Sequence, residues 1–434
     1  MNRARNAAIC FALLVVLIAM APVIAIAPVW LGPQLVTIAV AVMLLLLPSL
    51  SEADFLRSLT IVKPLAVAAA LPAAWMLLQI VPVPLGSIEH PVWRSAAAAL
   101  PEITSGHVSV DLGYTLRGLF SYLTLISLAF STCVLTRNRD RAETTLFALC
   151  TITTFVAVEL LLFRHLPLFT RSNSPDAADS LVALDAFGAI LNLAFVVRTI
   201  ERYDTRTRSS RAYVGMLLLG VSGVVLCLTA LIFSTTYDVV IATGFGLTAL
   251  CLVVFVRRLS LGRWTAATVS AAMVVAWGGM VVLRSAANPA VSPILRFAKI
   301  AIEDGGAATL RMLSDANWTG SGVGTYQALA AIYRDAAGSP GESAIHTIAS
   351  MVLEWGQFGL LISFFLLAQL LVMLDRGALL RGRDSFYAAG AAACLVTAFF
   401  EAYCDTSSTD ITVQMLASII VGLGLAQTTG RQAA

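Results

Sequence analysis

Apolar runs of about 18 residues or more recur along the whole of this chain, separated by short polar stretches that carry arginine. A helix of that length crosses a hydrocarbon core of roughly 30 Å. In lipid, a helix is also one of only two backbone forms that satisfy all their own polar groups. The chain is therefore expected to be all-α, a polytopic helical membrane protein forming a single membrane domain over residues 1–434. Of the 434 residues, 59% are hydrophobic and 12% charged, with a mean hydropathy of +0.86, which excludes a water-soluble globular domain. The net charge of +3 is modest. Its basic residues sit near helix ends, so they report orientation in a membrane and give no case for nucleic acid. Six of the seven cysteines lie within or at the ends of apolar runs and Cys404 borders a loop, a pattern that offers neither a disulfide framework nor a CxxC metal site.

The N-terminal stretch MNRARNAAICFALLVVLIAMAPVIAIAPVW starts with the basic residues of a signal peptide. Its apolar run is too long for such a peptide, and proline follows the small-residue AIA, so it is read as a retained first span. The pattern predicts about 12 spans, centred near residues 17, 41, 71, 125, 154, 190, 223, 247, 274, 361, 394 and 420. The arginine-bearing stretches at residues 137–141, 201–211, 257–263 and 375–384, with those at both termini, all fall on one side. By the positive-inside rule that side is cytoplasmic. Two long segments are left outside: residues 83–113, a first periplasmic loop, and residues 284–346, a large periplasmic loop before the third-last span. All four histidines, His90, His107, His165 and His346, fall on this outer side.

The second loop runs into GESAIHTIASMVLEWGQFGLL, where His346, Ser350, Glu354 and Gln357 follow one another at i, i+4, i+8 and i+11. On a continuous helix they form one inclined stripe. A carboxylate there faces protein or water, because exposing it to lipid costs several kcal/mol. The bland alternative is a hydrogen-bonding stripe that glues this helix to a neighbour. Glu159, Asp185, Asp238 and Glu401 are further acids in or bordering spans, of which Glu159 stands mid-span; for Asp238 and Glu401 a place at the headgroup boundary is the simpler reading. Upstream, Gly320, Gly322 and Gly324 lie in LRMLSDANWTGSGVGTYQALAAIYRD. No Lys-Ser/Thr follows and no strand precedes, so phosphate-loop and dinucleotide readings fail. The stretch is expected to be a glycine-rich turn between two amphipathic segments. Arg296, Lys299, Arg311 and Arg334 are cations of the same loop. Guanidinium groups at an outer membrane face can clamp a diphosphate bidentately, or simply anchor to headgroups.

These stretches resemble a family. NWTGSGVGTYQALAAIYRD, a polar loop and then LEWGQFGLLISFFLL are similar to the C-terminal signature of the O-antigen ligase and polysaccharide polymerase superfamily, a G-x-G-x-G turn followed by an E-x-G-x-x-G helix. PVPLGSIEHPVWRSAAAALPEITSGHVSVDLGYTLRGL resembles the first outer loop of that family, with Trp93 and an S-x-D-x-x-x-T entry at Ser109, Asp111 and Thr115. The sequence departs from the family in three places. The family's histidine stands nine residues before the glutamate, where this chain has Ile345, with His346 one step later. The family's S-R-G is replaced by STTYD at residues 234–238, and Asp185 stands where the family has asparagine.

The resemblance implies glycosyl transfer, without metal or cofactor, from an undecaprenyl-diphosphate-linked glycan donor to a lipid or glycan acceptor at the outer face of a bacterial inner membrane. It implies surface polysaccharide ligation or polymerisation with both termini cytoplasmic. Such chemistry needs cations for the leaving diphosphate and a base for the acceptor hydroxyl. His346 or Glu354 is the expected base and Arg311 the expected leaving-group cation. Arg296, Arg117, Tyr326 and Arg334 are expected to bind the diphosphate or glycan. Two alternatives remain: a non-catalytic membrane partner of polysaccharide assembly derived from this fold, which the missing S-R-G arginine favours, and a transporter or flippase.

Overall fold

The computed structural model describes residues 2–28, 30–49, 52–100, 102, 105–165, 175–203, 210–234, 237–258, 307–333, 346–380 and 384–428. The fold is all-helical. Its helices are α1 (Asn2–Ala19), α2 (Ala21–Ile26), α3 (Leu31–Leu46), α4 (Glu52–Ile80), α5 (Pro91–Ala99), α6 (Leu112–Leu135), α7 (Arg139–His165) and α8 (Pro175–Tyr203). There follow α9 (Ser210–Phe233), α10 (Tyr237–Arg258), α11 (Ala307–Asp315), α12 (Tyr326–Tyr333), α13 (Thr347–Leu380), α14 (Ser385–Glu401) and α15 (Ile411–Ala426). Among the described residues seven helices, α4, α6 to α10 and α13, are long and apolar enough to cross a membrane, and α1, α3, α14 and α15 are shorter apolar helices. These eleven cover eleven of the expected centres; the one near residue 274 lies outside the described residues, as do most of residues 284–346.

The packing follows from where apolar surface is continuous. Helix α8 sits at the centre, 89% of its apolar window buried, against α7, α9, α10 and α14. Around it Leu184, Phe187, Ile190, Ala194 and Phe195 join Leu146, Leu149, Phe386 and Ala389 in the main core. Helix α9 lies at the periphery, with Leu218, Val225 and Ile232 facing outward, as a helix does when lipid is its outer solvent.

The bundle has two chemically different ends. At one, Glu143 takes ion pairs from Arg139, Arg198 and Arg202; Asp384 pairs with Arg139, and Arg257 pairs with Glu201. Arg198 is only 6% exposed, so it depends on that carboxylate. The opposite end carries the polar connections. There Val83–Pro84 pairs with Ser105–Gly106 in a two-residue antiparallel ribbon, closing a loop around α5. The helix α5 is capped by His90, whose Nδ1 accepts from the Val92 amide at 3.3 Å. The His107 ring bonds the Ile80 carbonyl at 2.7 Å, and Trp93 packs edge-on against it.

Candidate functional site

The polar end is organised by a break in α13. Gly356 takes φ +71° and ψ 176°, a backbone region essentially restricted to glycine, and it interrupts the helical ladder ten residues into α13. The glycine-rich turn fills that gap. Ser321 N donates to the Leu353 carbonyl at 2.9 Å and Gly322 N to the Glu354 carbonyl at 3.0 Å; Phe358 N donates to Trp318 O at 3.4 Å. A Cβ on Gly320 or on Gly356 would strike the other segment's backbone. Both positions are therefore glycine for the same reason: two main chains lie in contact. Helices α11 and α12 flank the turn, as its composition predicts. Met312, Tyr326, Leu329 and Leu353 pack beneath it.

Two further segments are tied into this joint. Near the end of α4, Gln79 Nε2 donates to the carbonyls of Thr319 at 3.2 Å and Glu354 at 3.1 Å, and Trp75 Nε1 donates to the Trp355 carbonyl at 2.9 Å. From the segment between α5 and α6, Val110 N donates to Ser321 O at 2.8 Å. The Ser109 and Thr115 hydroxyls bond each other at 2.7 Å, against the face of Gly322. Asp111 caps α6 through the amides of Gly113 and Tyr114. Ser109, Asp111 and Thr115 stand more than 200 residues before the glycine turn and the Glu354–Gly359 stretch, yet all three segments meet in one interlocked unit.

The break also corrects the expected stripe. His346, Ser350 and Glu354 precede it and Gln357 follows it, so the positive φ at Gly356 takes Gln357 out of register, and Gln357 is exposed. His346 does not face an open cavity. It is fully buried, its Nδ1 accepts from the Ala349 amide at 3.0 Å as an N-cap, and its Nε2 has no partner. Burial pushes its pKa down to about 4. Glu354 is half-buried, and its Oε1 accepts from Tyr326 N, the first residue of α12, at 3.0 Å. It thus caps a helix N-terminus, where a negative charge is favoured. Eight residues of helix separate His346 from Glu354, roughly 12 Å along the axis.

The cations are distributed around the joint. Arg117 is exposed on α6, its guanidinium 5.7 Å from the Tyr114 ring centroid, one residue before Gly118, on which Val323 of the turn packs. Arg311 is exposed on α11. Tyr326 is buried, its hydroxyl 3.1 Å from Thr309 Oγ1, so it ties α12 to α11. Arg296 and Arg334 lie outside the described residues.

Sequence reasoning missed Gln79 and Asp405. Gln79 is a polar side chain near the end of a 26-residue apolar span, and a lone buried amide there is itself a signal. Asp405 lies in the turn between α14 and α15. Its main-chain carbonyl accepts from Thr347 N at 2.7 Å and Thr347 Oγ1 at 3.0 Å, fastening the start of α13. Burial raises the pKa of its carboxyl against the bonds from Ser407 that lower it. Glu401, the last residue of α14, is fully buried within the protein.

Compared with known proteins, the sequence matches no family model and no curated protein.

Proposed function

We propose that this chain is an O-antigen ligase-like glycosyltransferase. It acts on undecaprenyl-diphosphate-linked glycan at the periplasmic face of a bacterial inner membrane. In this reading it crosses the membrane about twelve times, with the arginine-rich end and both termini cytoplasmic. The observation that carries the proposal is the joint itself. The three stretches that resemble the family's motifs are joined at the polar end of the bundle by main-chain hydrogen bonds and by the bond from Tyr326 N to the Glu354 carboxylate.

In this reading Arg117 and Arg311, exposed on helices at either side of the glycine turn, neutralise charge growing on the leaving diphosphate. Glu354 is held at the joint by the α12 amide and is the group that takes the acceptor hydroxyl proton. The diphosphate leaves as the acceptor oxygen attacks the anomeric carbon. His346 is a positioning residue: its ring caps α13 and thereby sets the height of Glu354, two turns further on. Arg296 and Arg334 belong to the same loop and are proposed as further donor contacts.

A second reading is favoured by a specific observation. Both candidate bases already serve as caps, His346 to the Ala349 amide and Glu354 to the Tyr326 amide, which suits a non-catalytic partner of polysaccharide assembly. Purified full-length protein, given a lipid-linked oligosaccharide donor and a glycan or lipid acceptor, separates the two. The glycosyltransferase reading expects transfer by the wild type and at least a hundredfold loss in Arg311→Ala and Glu354→Gln, with unchanged membrane insertion. No transfer by wild-type protein, or full activity in both variants, rejects those roles.

A further inference from the structure

We propose that the end of α14 holds a binding site for a small monovalent cation, a proton or a sodium-sized ion, with the Glu401 carboxylate as its charged ligand and the Thr397 hydroxyl beside it. Glu401 and Thr397 are both fully buried. Among the described residues, neither oxygen of Glu401 has a hydrogen-bond partner, and neither has Thr397 Oγ1. The two residues are one helical turn apart, so these three unsatisfied oxygens lie on one face of α14. That face is turned inward: Thr397 Oγ1 rests against Gly246 of α10, beside Ile190 of α8, where any Cβ at Gly246 would collide with it.

A bare carboxylate without donors is not stable in such a place, because burying an unpaired charge costs far more than a native fold tolerates. Among the described residues, the charge that acts on it is that of Asp405, of the same sign. Toward this end of the bundle the packed elements carry Cys394 on α14 itself, Asp238 at the start of α10, Asp185 on α8, Asp410 at the cap of α15, Asp405 in the following turn and His346 at the start of α13; the cations Arg202, Arg257 and Arg258 lie in the last turns of α8 and α10, where Arg257 bonds Ser385 at the opposite end of α14. Glu401 repels Asp405, and Asp405 repels Asp238. His346 is neutral at pH 7 by its burial, with Nε2 unpartnered. The deficit is therefore one of positive charge together with oxygen-ligand demand. Among the described residues no three His, Cys, Asp or Glu side chains are grouped as metal ligands. One buried carboxylate carries one negative charge, which a monovalent cation or a proton neutralises, with the Thr397 hydroxyl as a neutral oxygen on the same face.

The test is thermal unfolding of the purified full-length protein in detergent, with sodium chloride or choline chloride at matched ionic strength, from neutral to alkaline pH. Ligand binding to the folded state raises the unfolding temperature with ligand concentration. A sodium-sized occupant gives a rise with sodium over choline. A proton gives a fall in unfolding temperature as pH rises, the same in both salts. Either dependence must disappear in Glu401→Gln. If Glu401→Gln does not fold, Thr397→Val must move the half-saturating sodium or proton concentration by about tenfold or more. Wild-type protein indifferent to both ions overturns the proposal. So does a dependence that survives in Glu401→Gln, or a Thr397→Val midpoint that stays in place.

Discussion

Replacing Gly356 by alanine tests the joint most directly. At φ +71° and ψ 176°, a residue with a Cβ carries backbone strain of about 1–3 kcal/mol. The added carbon would also stand within 3.0 Å of Trp318 O, Gly320 N and Thr319 C, all main-chain atoms that cannot swing aside like a side chain. Relief requires the glycine turn to move out, and three cross-segment bonds go with it: Ser321 N to Leu353 O, Gly322 N to Glu354 O and Phe358 N to Trp318 O. At about 0.5–1.5 kcal/mol each, these bring the total to roughly 3–7 kcal/mol. This cost falls on local opening of the turn and the adjoining part of α13, because α8 and the rest of the core take no part in these bonds. Hydrogen–deuterium exchange of the full-length protein in nanodiscs reads it: the Ser321 and Gly322 amides should exchange at least about a hundredfold faster in Gly356→Ala. Amides of α8 should be unchanged. Gly215→Ala is the control, since a Cβ there meets nothing within 4 Å. Wild-type exchange at Ser321 and Gly322 in Gly356→Ala would refute the interlocked turn.

Other consequences can be measured on the same preparation. Because burial holds the His346 pKa at about 4 against a usual 6.5, the unfolded chain binds the extra proton between those values, so His346 contributes stability above pH 6.5 that is lost as pH falls toward 4. Unfolding midpoints of His346→Asn, which keeps a capping acceptor, should lose an acid-sensitive component on the order of 3 kcal/mol; equal pH slopes in both proteins would contradict this. Gln79→Leu removes the donor shared by Thr319 O and Glu354 O. It should cost about 1–3 kcal/mol and speed limited proteolysis at residues 317–325. At the other end, Glu143→Gln leaves the buried Arg198 without its carboxylate. The change should lower stability in detergent by about 3–5 kcal/mol, whereas Arg139→Ala, at a half-exposed pair, should cost no more than about 1 kcal/mol.

Some of this was legible in the order of residues. Apolar run length located α4, α6 to α10 and α13, because crossing a hydrocarbon layer fixes both length and composition. The glycine turn with its flanking amphipathic segments was also visible, since backbone at positive φ demands glycine and short helices show their period. The stripe through Gln357 was not a safe reading. Periodicity assumes an unbroken helix, and a single glycine gives no sign of whether it merely sits in a helix or breaks one.

The sequence by itself therefore determined the solvent, the helical class and the residues able to carry charge, all of which depend on local composition. Only the tertiary structure decided what those residues do. Gly356 breaks α13 because the Gly320 main chain occupies the space beside it. His346 and Glu354 become caps because Ala349 and the start of α12 present free amides to them. Glu401 becomes an unsatisfied acid because packing buries the end of α14 and, among the described residues, brings no donor to its carboxylate. Each of these depends on which backbone arrives from a distant part of the chain, and pairing between distant segments leaves no periodic trace in a single sequence.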